Sequence, residues 1–102
     1  MKLSVLERVL LSNILPAKGS FSNLKLLRVA REDLSFDDKE NKILNIRQEG
    51  QQVLWNEPKP PLMKTINFGE VATEIIKKTL REMDKKEELS ADFLTIYEKF
   101  IT

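Results

Sequence analysis

The sequence predicts an α+β domain that is mainly α: five helices, one of them short, and a two-stranded β-hairpin. Three observations lead there. Apolar residues recur at helical spacing over most of the chain, the period changes to alternation only between residues 44 and 56, and capping residues stand in front of the apolar stretches.

The first helix is announced by Ser4 with Glu7 three residues on, the spacing at which each side chain satisfies the other's backbone N–H, and Pro16 closes it. Val5, Leu6, Val9, Leu10, Leu11, Ile14 and Leu15 cover nearly its whole circumference, leaving Glu7, Arg8, Ser12 and Asn13 as polar positions. Such a helix is either central or half of an interface. A second helix is expected from Ser20 or Ser22 to about Asp33, with Leu24, Leu27, Ala30 and Leu34 on one face and Lys25, Arg28 and Arg31 on the other. Ser35 then caps a short acidic helix, Phe36 to about Ile43, whose Asp37 and Asp38 suit the positive end of its dipole.

Leu44, Ile46, Val53 and Trp55 alternate with polar residues around Glu49-Gly50, which reads as a hairpin with Ile46, Val53 and Trp55 turned inward. A hairpin alone is marginal in water, so this one must lie against the helices. Pro58, Pro60 and Pro61 remove backbone donors and favour an extended link. Asn67 with Glu70 repeats the capping spacing before Phe68, Val71, Ala72, Ile75, Ile76, Leu80 and Met83. Ser90 opens a last helix, stapled by Leu89 and Leu94, that buries Phe93, Ile96, Tyr97, Phe100 and Ile101. So short a junction makes the final two helices an antiparallel pair. The organisation is a single domain over 1–102: helices and hairpin to residue 56, a proline-rich connector over 57–66, a helical hairpin over 67–102. Helix, helix, short helix and hairpin in that order resemble a winged helix.

Composition narrows the function. The chain has 102 residues, 41% apolar and 32% charged, and a net charge of +1, enough for one core and too balanced for a disordered chain. No apolar run reaches the roughly 18 residues that span a bilayer, and no signal-peptide core follows Met1-Lys2-Leu3, so no membrane association and a cytoplasmic setting are expected. Histidine and cysteine are both absent, which removes the usual general base, most zinc ligands and the thiolate nucleophile. Only Gly19, Gly50 and Gly69 are present, and no phosphate-cradling loop, zinc spacing or calcium loop can be assembled. Glu70, Glu74, Lys77 and Lys78 read as a solvated helix face, with Glu74 four residues before Lys78. The expectation is a protein that is not an enzyme and has no metal and no cofactor.

Four residues form the candidate binding surface. Residues 1–35 hold six basic and three acidic side chains, and Lys25, Arg28 and Arg31 share one helix face. They read either as a contact for nucleic acid or an acidic protein, or as a solvated face partly neutralised by Glu32, four residues from Arg28. In a winged helix the groove-entering helix would be residues 36–43, whose Asp37, Asp38 and Glu40 would repel phosphates. Trp55, the only tryptophan, reads either as a lid on the core or as an interface anchor.

Asn13-Ile14-Leu15-Pro16 with Gly19, Arg47-Gln48-Glu49-Gly50 followed by Trp55-Asn56, and Tyr97-Glu98-Lys99-Phe100 resemble segments of small uncharacterised phage and prophage proteins. The resemblance runs over most of the chain. It implies a bacterial cytoplasm and a viral or mobile-element product, and supplies no activity or site residues. The leading expectation is therefore a non-enzymatic factor that binds a host or phage protein, the alternative a nucleic-acid-binding regulatory or replication accessory protein. Wide apolar surfaces on the first and last helices add a homodimer to the expectations.

Overall fold

The computed structural model describes residues 1–102. In chain order it runs β1 (Lys2–Ser4), α1 (Val5–Ile14), α2 (Phe21–Leu34), α3 (Asp38–Leu44), β2 (Arg47–Glu49), β3 (Gln52–Leu54), β4 (Met63–Thr65), α4 (Gly69–Lys85), a 3-10 turn (Ala91–Phe93) and α5 (Leu94–Phe100). The fold is α+β and mainly α, with five helices as expected, but it holds two small antiparallel sheets.

The hairpin β2–β3 pairs Arg47 with Leu54 and Gln48 with Val53 around Gly50, whose φ of 64° is the left-handed turn conformation that glycine adopts without strain. Asn56 N–H donates to Leu44 O at 2.7 Å and lengthens the ladder. The second sheet was not foreseen: β1 pairs with β4, Leu3 opposite Lys64. The Met1 ammonium donates to Ile66 O at 3.2 Å, and Ile66 N–H donates to Met1 O at 2.8 Å. Residues 57–66 are thus more than a connector, since their last part is a strand that closes over the N-terminus. Unlike β2 and β3, strands β1 and β4 are not joined by a short turn and pair across more than fifty residues, so no local signal marked them.

One core lies between α1, α2, α4 and α5: Leu11 and Leu15, then Leu27, Ala30 and Leu34, then Ile76 and Leu80, then Ile96 and Phe100, with Leu3 and Ile66 from the ribbon and Phe93 from the 3-10 turn. Phe68 and Phe100 add a tilted ring contact at 5.9 Å between centroids. Tyr97 and Ile101 pack only partly against this core, and Leu94, proposed as a staple, is 62% exposed. The apolar excess on α1 is answered inside the chain, since Val5, Leu11 and Leu15 are buried and Leu10 and Ile14 half-buried. Leu6 is left as the exposed large apolar residue of α1. No helix is long and apolar enough to cross a membrane.

The caps agree with the sequence at two ends and differ at three. The Ser4–Glu7 box forms, and Ser20 Oγ accepts from Asn23 N–H. Asp37, not Ser35, caps α3, in a reciprocal box with Glu40; Ser35 instead ends α2, its hydroxyl donating to Glu32 O at 2.6 Å. At α4 no side-chain cap bond forms, because Gly69 stands at φ 77° and its N–H goes to Asn67 Oδ1, two residues back. Ser90 likewise caps without a side-chain bond, and the chain passes through the 3-10 turn before α5.

Candidate functional site

The adjacent residues Glu7 and Arg8, two of the four polar positions of α1, are 4% and 1% exposed. A lone charge at such depth costs several kcal/mol unless paired and hydrogen-bonded, and both are. Glu7 accepts from Lys99 Nζ at 2.6 Å, from Thr95 Oγ1 at 2.9 Å and from Ser4 N–H at 2.9 Å, joining α1 to α5. Burial works to raise its pKa, but these three donors outweigh it and hold the carboxyl below the ordinary value.

Arg8 reaches the other way. Its Nη1 donates to Glu40 Oε2 at 2.6 Å and Nη2 to Glu40 Oε1 at 3.2 Å, the two-pronged geometry that suits a guanidinium to a carboxylate. Nε donates to Leu34 O at 3.2 Å and Nη2 also to Ser35 O, which satisfies carbonyls at the end of α2. The guanidinium carbon lies 3.9 Å from the centroid of the Phe36 ring. One side chain therefore ties α1 to the end of α2, to Phe36 and to α3. The Arg8 bond is the main reason the Glu40 carboxyl lies below its usual range, opposed by burial and helped by Asp37 N–H and the charge of Lys64. No buried side-chain nitrogen or oxygen in the chain lacks a partner.

This fastening builds one wall of a cleft of about 380 Å³. Arg8, Val9, Ser12 and Asn13 of α1 line one side, Leu34, Ser35, Phe36 and Asn41 the floor, and Ile46, Arg47, Gln48, Val53 and Trp55 of the hairpin the other side. The hairpin register explains four of the last group, Arg47 excepted. Gln48 stands opposite Val53, so Ile46, Gln48, Val53 and Trp55 share one face, and this face looks into the cleft. Trp55 is half-buried there, outside the apolar core, with its indole N–H donated to Glu57 Oε2 at 2.9 Å. No aspartate or glutamate lines the cleft.

The basic residues lie elsewhere. Lys25 and Arg28 are exposed on α2 and, with Phe21, Leu24 and Arg31, line a separate shallow hollow of about 370 Å³. Arg31 is turned inward: its Nη2 donates to Leu15 O at 3.1 Å and Pro16 O at 2.9 Å, capping the end of α1. The neutralisation of Arg28 by Glu32 is absent. The four ion pairs within 4 Å are Arg8–Glu40, Arg47–Glu49, Lys77–Glu74 and Lys99–Glu7, so Glu74 also meets Lys77 rather than Lys78. The three α2 cations share one place, and Trp55 belongs to another.

Sequence reading passed over Arg8, Phe36 and Phe21. An arginine inside an otherwise apolar helix turn was the available signal for the first. Phe21 stands four residues before Lys25 and seven before Arg28, on the side of α2 opposite Leu27, Ala30 and Leu34. No group of three or more acidic residues is placed to hold a metal ion. No family model, no curated protein and no solved structure matches the chain.

Proposed function

We propose that this chain is a non-enzymatic protein-binding factor of phage or prophage origin, acting in the bacterial cytoplasm, and that its contact surface is the cleft between α1 and the hairpin. The observation that carries the reading is Trp55: the only tryptophan lies outside the core, half-buried at a cleft with apolar walls. Tryptophans in such positions are enriched among the residues that dominate protein contacts, because they bury much area with few rotors to freeze. Val9, Phe36, Ile46 and Val53 supply apolar walls, and Ser12, Asn13, Asn41 and Gln48 the polar groups that fix orientation. The occupant that fits is a segment of a partner protein bearing an apolar anchor. The origin rests on the resemblance to small phage proteins, and of the segments that carry it Arg47, Gln48 and Trp55 line this cleft.

Affinity capture from bacterial lysate, run side by side with the wild-type chain and Trp55→Ala, tests the reading. A partner held by the wild type and lost from the variant supports it. Capture of nothing by the wild type, or equal capture by both, sinks it.

A further inference from the structure

The solvent side of α2 carries a group that helical patterning does not explain. Phe21 is 78% exposed, the most exposed large apolar residue of the chain, at a helix position where a polar residue costs nothing. The Lys25 ammonium lies 5.7 Å from its ring centroid, and Arg28 follows one turn on. Neither cation has a carboxylate within 4 Å, although the chain is nearly neutral overall and Glu32 stands four residues from Arg28. The hollow these residues share contains no acidic side chain, and Arg31 adds its charge from the rim while bonded to the Leu15 and Pro16 carbonyls just beyond α1.

An isolated aromatic ring flanked by unneutralised cations, over a shallow rather than a deep hollow, is what a single nucleic-acid strand requires. A base stacks on the ring, and the long cationic side chains reach adjacent phosphates. Phe21 and the half-buried Leu24 are the apolar residues of the hollow, with the exposed Leu26 and Val29 of α2 outside it, and the unneutralised charge of Lys25 and Arg28 favours an anionic strand over an apolar partner. We infer that the Phe21–Lys25–Arg28 face of α2 is a weak, sequence-tolerant binding site for single-stranded nucleic acid, separate from the Trp55 cleft.

The test is a fluorescence-anisotropy titration of a labelled mixed-sequence single-stranded oligonucleotide, as DNA and as RNA, at several salt concentrations. With Lys25 and Arg28 each neutralising one phosphate, log affinity falls against log salt with a slope of about −1.4, so moving from about 50 to 200 mM salt weakens binding about 7-fold. Phe21→Ala is expected to weaken it about 5-fold or more, Phe21→Trp to keep it, and Lys25→Glu with Arg28→Glu to abolish it. These positions are exposed, and circular dichroism checks that each variant is folded. No binding at low salt, binding indifferent to salt, or a Phe21→Ala variant that binds like the wild type overturns the inference. So does a polyglutamate peptide that competes as well as the oligonucleotide, which would make the face a general contact for acidic chains. Trp55→Ala leaves this affinity unchanged if the two sites are separate; its loss would assign the oligonucleotide to the cleft and overturn the placement on α2.

Discussion

Arg8 and Glu40, 32 residues apart in sequence, meet in a two-pronged ion pair with the arginine side chain 1% exposed and the carboxylate on the rim of α3. The same guanidinium satisfies two carbonyls at the end of α2 and lies against Phe36. Arg8 is therefore the point at which the third helix, with the hairpin behind it, is fastened to the four-helix core.

Removing one partner of a buried, hydrogen-bonded pair leaves the other partner and its neighbours unsatisfied. Arg8→Met is expected to cost roughly 3–5 kcal/mol, while Arg8→Met with Glu40→Leu costs distinctly less than the sum of the two single changes. Urea denaturation of the wild type, both single variants and the double variant closes the cycle. Additive costs would show that the pair is not coupled.

Acid should loosen the fold through Glu7 and Glu40. Both folded-state pKa values lie below the ordinary 4.5, so their contribution is complete above that value and is lost as pH falls through the lower folded values. Denaturation midpoints are expected to be nearly level from neutral pH to about 5 and to drop below it. Glu7→Gln combined with Glu40→Gln should flatten that acid limb.

Arg31 and Lys25 look alike in the sequence and differ in structure. Arg31→Ala is expected to cost about 1–2 kcal/mol, because it bonds carbonyls at the end of α1, whereas Lys25→Ala should change stability by less than about 0.5 kcal/mol. Thermal unfolding of the two variants compares them directly, and equal effects would contradict the inward placement of Arg31.

Trp55→Ala should cost about 1–2 kcal/mol rather than the roughly 3–5 of a core aromatic, since the side chain is half-buried and stands outside the core. As the only tryptophan it is also an intrinsic reporter. Its emission should shift to the blue when a partner fills the cleft and should not respond to Phe21→Ala.

Self-association is decided by sedimentation equilibrium at micromolar concentration. The exposed apolar residues open to a homodimer are Leu6 of α1, Leu94 of α5 and Val29 of α2. A mass near 11.9 kDa without concentration dependence rules it out.

The number of helices, the Ser4–Glu7 box, the turn at Gly50 and the common face of Ile46, Val53 and Trp55 were legible in the chain, because each rests on local spacing and backbone chemistry. Tertiary structure decided the rest. Whether Glu7 and Arg8 lie in water or inside depends on Lys99 and Glu40, 92 and 32 residues away, and no periodicity carries that distance. The β1–β4 ribbon has the same origin: its strands are distant in sequence with no turn between them, and each supplies the other's missing backbone partners. The candidate surfaces divided for this reason as well. Lys25, Arg28 and Arg31 are neighbours on any helix, but only the packing of α1 against α2 turned Arg31 inward, and only the docking of α3 and the hairpin beside α1 gave Trp55 a cleft to face.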